Sequence, residues 1–529
     1  MSFDLLLAGG RLLDGSGAPE QRADIGIQGD RIAAIGDLTG ADARETIDLA
    51  RPGGDRLVVC PGFIDAHSHS DTYILLDPGA GAKLSQGVTT EICGNCGASC
   101  APITSWDQLP SDWAGRDYGG RQWGSLAAYR TVLDACGPAV NIGLLTGHNT
   151  LRRQVVGMGA GAAGPEAVAG MARLLEVALD DGSLGFSTGL EYPPGMHASR
   201  EELVALAGVA GRRERIYATH MRNEGDRVTE AVDEALATAR AAGARLQISH
   251  LKVLHRRNWR QLDGILAGLD AARGNGLDVA ADAYPYTACA TDLDVILPPW
   301  FHADGRERSL ARLSDRAACD CLLAHLRDAV GDDVLTGITI AGTVASSTRD
   351  FQGCRLTAVA AAFKLPLAYT VLELCRRDGL RTGAFFEGIE EAGMRRILQR
   401  PDVAIGSDAS LRTLDGPLHD GYPHPRTFGT FPRYLRLVRE GGLALTLPEA
   451  IRKLTSLPAA RFRLPRRGLL RAGYMADMVV FDAARITDRA AFHDPWRLAE
   501  GVAHVVVNGV LSLTGGTLTG RRGGRFVSP

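Results

Sequence analysis

No apolar run in this 529-residue chain approaches the roughly 18 residues that a membrane-crossing helix needs. The first residues, Met1-Ser2-Phe3-Asp4, lack the charged start and apolar stretch of a secretory signal. A cytoplasmic protein with no membrane partner is therefore expected, and its ten cysteines are expected to stay reduced. Charge of one sign is also lacking. The net charge is only −3, which argues against a nucleic-acid partner, and the Arg pairs at 212–213, 256–257, 466–467 and 521–522 are dispersed along the chain. There are no internal repeats and no low-complexity tract. With 45% hydrophobic and 22% charged residues, the composition is that of an ordinary globular protein.

The most informative stretch is Val59-Cys60-Pro61-Gly62-Phe63-Ile64-Asp65-Ala66-His67-Ser68-His69. It opens on an apolar run of strand character, 57–60, and closes on His-x-His. Alternate strand residues share a face, so His67 and His69 would project together as half of a metal site.

Both ends of the chain read as short strands punctuated by turns, such as 24–27 and 31–35 near the start and 476–481 and 502–510 near the end. This predicts one small β domain, a sandwich built from residues 1–56 and 465–529. The middle alternates strand-like runs with Ala/Leu/Arg/Glu-rich helical stretches at 166–181, 200–214, 226–242 and 258–275. Eight strand ends can be counted: 64–67, 89–96, 142–148, 184–189, 216–220, 246–250, 279–284 and 403–408. That count predicts an α/β fold of the (β/α)₈ type over 57–464. More than a single crossover separates the last two strands, so residues from about 300 to 398 read as an inserted lid subdomain, with a strand at 335–342 and helices at 308–330 and 367–379.

Barrels of this kind carry chemistry at the C-terminal ends of their strands. Those ends hold His67, His69, Cys96, His148, His220, His250 and Asp408, and five of the seven are histidines in a chain that has 13. A single histidine would pass as a hydrogen-bonded core residue; so many at strand ends point to a metal. Zinc accepts His, Cys and carboxylate ligands and keeps a position open in catalytic sites. Cys96, His220 and His250 would make one tight position, and His67, His69 and Asp408, with Cys96 as a bridge, a weaker second one. The Cys93, Cys96, Cys100 spacing also occurs in iron–sulfur and structural zinc sites, but those want four closed ligands and leave the histidines unexplained. Cys96 lies in the tight turn Gly94-Asn95-Cys96-Gly97, which aims one thiol inward, and Cys93 and Cys100 are taken as structural.

These segments, with Ser249-His250-Leu251-Lys252, Asp282-x-Tyr284-Pro285-Tyr286, Gly406-Ser407-Asp408, His424-Pro425-Arg426 and Leu469 to Phe481, resemble the amidohydrolase superfamily. The closest group is the N-acyl-D-amino-acid deacylases, in which a cysteine replaces a carboxylated lysine. The resemblance covers nearly the whole chain. It implies tight zinc ligation by Cys96, His220 and His250, a weak second pair in His67 and His69, and an acid/base role for Asp408. It also implies that Lys252 and Tyr284 bind the substrate carboxylate, with Arg426 in the same substrate group. His148 is either substrate-facing, behind the ligands, or structural. The stretch Thr287-Ala288-Cys289-Ala290-Thr291 departs from the family pattern, since Ala290 lacks a hydroxyl.

The chemistry fits this assignment. An amide resists attack because its carbonyl is a poor electrophile and its amine a poor leaving group. A metal that polarises the carbonyl and a carboxylate that moves the proton answer both difficulties. The expected substrate is a small N-acyl-D-amino acid. Residues 292–300 offer no cation for an acidic side chain, so apolar side chains are expected, and Asp292 or Asp294 would instead favour a basic one. A cyclic amidase is the alternative, disfavoured because the fourth strand end, 187–192, has no lysine. A non-catalytic barrel is the third reading, which loss of ligands would mark. A monomer or small homo-oligomer is expected.

Overall fold

A computed structural model describes residues 2–50 and 56–529. Met1 and residues 51–55, part of the expected N-terminal share of the small domain, lie outside the described residues. Eight parallel strands form the centre: Phe63–Asp65, Val88–Cys93, Asn141–Leu144 with Thr146–Gly147, Gly185–Gly189, Ile216–His220, Arg245–Ile248, Val279–Ala283 and Val403–Ile405. They pair in chain order. The eighth strand meets the first through Ala66 N–H to Ile405 O (3.2 Å) and Asp408 N–H to His67 O (2.8 Å), so the sheet closes into a barrel. Strands such as Ile216–His220 are buried at every position, as expected when helices cover one face and the barrel interior fills the other.

The helices follow the apolar pattern of the sequence. Val228–Ala242 buries Val228, Ala231, Val232, Ala235, Leu236 and Ala239, an i, i+3, i+4 stripe. Each such aliphatic group, fully buried, is worth roughly 1.5–3 kcal/mol for Val or Leu. Gly243 ends this helix with φ of 59°, a left-handed cap that costs glycine little. Pro165 opens Pro165–Asp180, and the Ser199 hydroxyl caps Arg200–Arg212 by accepting from Glu202 N–H. Among the described residues no single helix is long and apolar enough to cross a membrane.

Strands from both termini form one nine-stranded sheet whose ends share a core of Leu5, Leu7, Ile25, Ile27, Val59, Met478, Val480, Val506 and Leu511, so the sheet folds over on itself as a sandwich. One boundary differs from the sequence expectation. Leu57–Pro61 pairs with Met478–Asp482 and belongs to this sheet, so the chain enters the barrel at Gly62. Pro61 and Gly62 break the run, and the first barrel strand is only Phe63–Asp65.

The insertion also begins earlier than residue 300. Ala288–Asp292 pairs with Gly383–Glu387, which pairs with Ile338–Gly342, in a separate three-stranded antiparallel sheet. The helix expected at 308–330 is interrupted: Arg306–Arg312 and Arg316–His325 are separate, with Asp315 capping the second. Glu391–Gln399 packs beside the eighth strand as a barrel helix, so the insertion ends before it.

Candidate metal centre

Three of the candidate residues occupy an unusual backbone conformation. Cys96 (φ 51°), His250 (φ 36°) and Asp408 (φ 51°) all lie in the left-handed region, uncommon for residues with a Cβ and frequent at functional sites. Gly94 makes the Cys96 turn possible: a Cβ there would stand 2.0 Å from Leu145 O. His67 and His69 lie just past the first strand rather than on it, and Ser68 forms a bridge to Ala409 between them.

The strand ends converge. Cys96 Sγ stands 3.3 Å from His67 Nε2 and 3.4 Å from His250 Nε2. The His220 and His250 rings meet edge to face at 4.5 Å. Asp408 Oδ1 is 3.1 Å from His69 Nε2 and 3.4 Å from His67 Nε2. Potential ligand atoms of Cys96, His220 and His250 lie within 4.8 Å of one another, and so do those of His67, His69, Cys96 and Asp408. Cys96 is common to both groups, whereas neither Cys93 nor Cys100 joins either. Those two cysteines are buried, and burial pushes both thiols well above the ordinary range.

Burial would push the Cys96 thiol up as well. The charges of His67 and His250, with the hydrogen bond from His250, outweigh it and hold Cys96 well below the usual cysteine range. Asp408 follows the same logic: burial opposes ionisation, but the Arg426 guanidinium and the surrounding histidines hold it well below the usual carboxylate range. A cysteine sulfur, several imidazoles and a carboxylate make a donor set suited to zinc, whose binding would displace the protons from those imidazoles. His220 Nδ1 is buried with no hydrogen-bond partner, as suits an imidazole whose remaining contacts go to a ligand.

Carboxylates behind the histidines were not singled out from the sequence. Asp282 accepts from His67 Nδ1 (3.0 Å), His250 N–H (2.7 Å) and Gln247 Nε2 (2.8 Å), fixing the His67 ring. Glu224 Oε1 lies 3.0 Å from His250 Nδ1, and Glu191 Oε2 lies 2.9 Å from His220 Nε2. Asp282 stood in a quoted motif, but Glu224 and Glu191 lie in loops past their strands, where nothing in the spacing marks them.

The substrate candidates divide. Lys252 Nζ is buried 2.7 Å from Glu224 and 2.8 Å from His250 Nδ1, and the Tyr284 ring lies 5.8 Å away. The Arg426 guanidinium lies 5.0 Å from the centre of the Tyr284 ring and reaches Asp408 Oδ2 at 2.9 Å. Tyr284 Oη is buried without a hydrogen-bond partner. Lys252, Tyr284 and Arg426 thus form one cationic, aromatic wall beside the histidines. His148 is not brought to this wall. It is fully buried, its Nε2 is 2.8 Å from Glu202, Arg152 holds the same carboxylate at 2.5 Å, and Phe186 packs on its ring. The substrate-facing expectation for His148 is therefore set aside: the ring fastens His148–Val155 to Arg200–Arg212.

Comparison with known proteins agrees with this fold. The amidohydrolase family pattern matches residues 55–512. The chain is 38% identical over 521 residues to N-acyl-D-glutamate deacylase of Alcaligenes xylosoxydans xylosoxydans, covering 96% of this chain and 93% of that one. It is also 38% identical over 528 residues to D-aminoacylase of the same organism, covering 99% and 98%. Among solved structures it matches N-acyl-D-glutamate deacylase from Bordetella bronchiseptica, complexed with zinc and a phosphonate mimic of the tetrahedral intermediate. The TM-score is 0.84 at 34% identity, with both chains covered in full. The chain belongs to the amidohydrolase family and, within it, to the group of the N-acyl-D-amino-acid deacylases.

Proposed function

We propose that this protein hydrolyses the amide bond of N-acyl-D-amino acids with apolar side chains, giving a carboxylic acid and a free D-amino acid. The observation that carries the reading is the adjacency of the Cys96–His220–His250 group, the His67–His69–Asp408 group and the Lys252–Tyr284–Arg426 wall. Cys96, His220 and His250 would hold zinc tightly, and His67, His69 and Asp408 would offer a weaker second position. Zinc held there supplies positive charge that polarises an amide carbonyl and eases the deprotonation of water. Asp408 takes the proton of the attacking water and returns it to the leaving nitrogen. Arg426 keeps that carboxylate ionised and oriented. Lys252 and the Tyr284 hydroxyl receive the substrate α-carboxylate. The substrate is a small molecule, and the protein acts in the cytoplasm as a monomer or small homo-oligomer.

The preference for apolar side chains rests on residues 292–300, which supply no cation. Asp294 turns its carboxylate toward His302 (3.7 Å), which weakens the case for a basic side chain. Equal identity to a deacylase named for glutamate and to D-aminoacylase means overall likeness does not choose the side chain. The cyclic-amidase alternative loses support because the fourth strand end offers Glu191 rather than lysine beside His220. The non-catalytic reading loses support because every ligand candidate is present. Amine release from N-acetyl-D-amino acids, set against opening of a cyclic amide by the same preparation, separates the first two.

Lys252→Ala is expected to raise KM for N-acyl-D-amino acids more than for their carboxamides. Steady-state kinetics on matched acid and amide pairs checks this, and an equal effect on both removes Lys252 from carboxylate recognition.

A further inference from the structure

A fully buried ionic cluster lies directly under the His-x-His segment, and nothing in the catalytic reading uses it. Lys83 Nζ sits between Asp65 Oδ2 (2.8 Å) and Glu91 Oε2 (3.0 Å), with all three side chains inaccessible to solvent. It also reaches the hydroxyls of Ser407 (3.2 Å) and Ser68 (3.4 Å). Burial of an ammonium group is costly unless it is paired, and here the two carboxylates outweigh that cost and raise the lysine pKa above its ordinary value.

The contacts of this cluster alternate with the ligand candidates. Asp65 Oδ1 accepts from the backbone N–H of His67 (3.3 Å) and of Ser407 (2.7 Å), while its Oδ2 accepts from Ser407 Oγ (2.6 Å). Glu91 Oε2 accepts from the hydroxyls of Ser68 and Ser70, the latter at 2.7 Å. Ser68 Oγ also lies 3.1 Å from Ala409 O. The cluster therefore grips positions 67, 68, 70 and 407, whereas the side chains facing the centre are 67, 69 and 408.

Lys83 comes from the short helix Gly81–Leu84 and Glu91 from the second strand, while Asp65 and Ser407 stand at the ends of the two strands that close the barrel, 342 positions apart in the chain. The seam has few backbone hydrogen bonds beyond the strand ends: Asp408 N–H to His67 O and His69 N–H to Ala409 O (3.2 Å). Side chains carry the rest of the alignment.

We propose that Lys83 is a positioning residue: held by Asp65 and Glu91 of the first two strands and reaching Ser407 past the end of the eighth, it keeps the first and eighth strand ends in the register that brings His67, His69 and Asp408 together. The proposal rests on the functional reading only in taking those three residues as the second metal position and the proton carrier. Residues behind metal ligands typically contribute roughly 10–100-fold in metal affinity or activity. A salt bridge that only stabilised the barrel would leave both unchanged per folded molecule.

The test is zinc titration calorimetry of metal-free wild type, Lys83→Met and Ser407→Ala, with kcat and KM on an N-acetyl-D-amino acid. In Lys83→Met the tight zinc step is expected to persist. The second step weakens by roughly 10–100-fold, and kcat falls with KM unchanged. A lowered melting temperature with the second step and kcat intact overturns the proposal, as does a wild type with a single zinc step. If Lys83→Met does not fold, Ser407→Ala decides. It removes the hydroxyl that joins Asp65 and Lys83 and also accepts from Ala409 N–H (3.3 Å), and is expected to weaken the second step at near-normal stability; an unchanged second step overturns the proposal. A wild type that titrates with zinc but releases no amine counts against the functional reading alone, and the zinc steps then judge Lys83 by themselves.

Discussion

Asp408→Asn is expected to bind zinc at Cys96, His220 and His250 and to lose turnover by roughly 10²–10⁴-fold, the range that a positioned acid/base contributes. The substitution keeps the shape of the side chain and one oxygen for Arg426, which now stands 2.9 Å from Asp408 Oδ2. It removes the ability to take a proton. Asp408 is placed for that task beside His67 and His69, and the Arg426 charge with the neighbouring histidines outweighs its burial and holds it well below the usual carboxylate range. Zinc content and kcat measured on the same preparation check the prediction. Near-normal turnover would remove Asp408 from the proton-transfer role, while loss of zinc together with turnover would make it a ligand first.

Cys96→Ala is expected to be more damaging, because Cys96 is shared by the two candidate ligand groups. Its removal leaves two imidazoles for the tight position and takes the bridge from the second. Zinc content should fall below one per chain, and activity should fall below that of Asp408→Asn. Bound zinc stabilises the folded state by mass action, so chelation should lower the melting temperature of the wild type but not that of the variant. Thermal unfolding with and without chelator reads this independently of catalysis. A variant that still binds one zinc per chain with wild-type affinity would place the tight position elsewhere.

The barrel was legible because its strands are buried on both faces and stop at polar residues, so Ile216–His220 and Arg245–Ile248 announce themselves by composition alone. The ligand candidates were legible for the same reason: they stand where apolar runs end. Partnerships between loops were not. Arg426 reads like a substrate cation in sequence, yet folding brings it onto Asp408. Lys252 reads as a free cation two residues past His250, yet it is paired with Glu224, a residue on another strand's loop. His148 sits at a strand end like the other candidates. Only the packing shows that helix Arg200–Arg212 supplies Glu202 to occupy its ring.

Backbone conformation was also beyond the sequence. A histidine or aspartate in the left-handed region cannot be told from one in a strand by residue type, and Leu57–Pro61 gave no sign that it belongs to the small sheet. The start of the insertion was misplaced because Ala288–Asp292, short and half-exposed, looks like a continuation of the seventh strand's loop. Its antiparallel partner, Gly383–Glu387, comes almost a hundred positions later.

The central claim is zinc-dependent hydrolysis of N-acyl-D-amino acids with apolar side chains. Its most direct test is amine release from paired N-acetyl-D- and N-acetyl-L-amino acids bearing Leu, Met, Phe, Trp, Glu, Asp, Lys and Arg side chains. Each is assayed with zinc and again after chelation. The account predicts turnover confined to apolar D-substrates, lost on chelation and restored by zinc. Turnover of L-substrates, turnover that survives complete removal of metal, or no turnover of any pair by the zinc-loaded protein would contradict it.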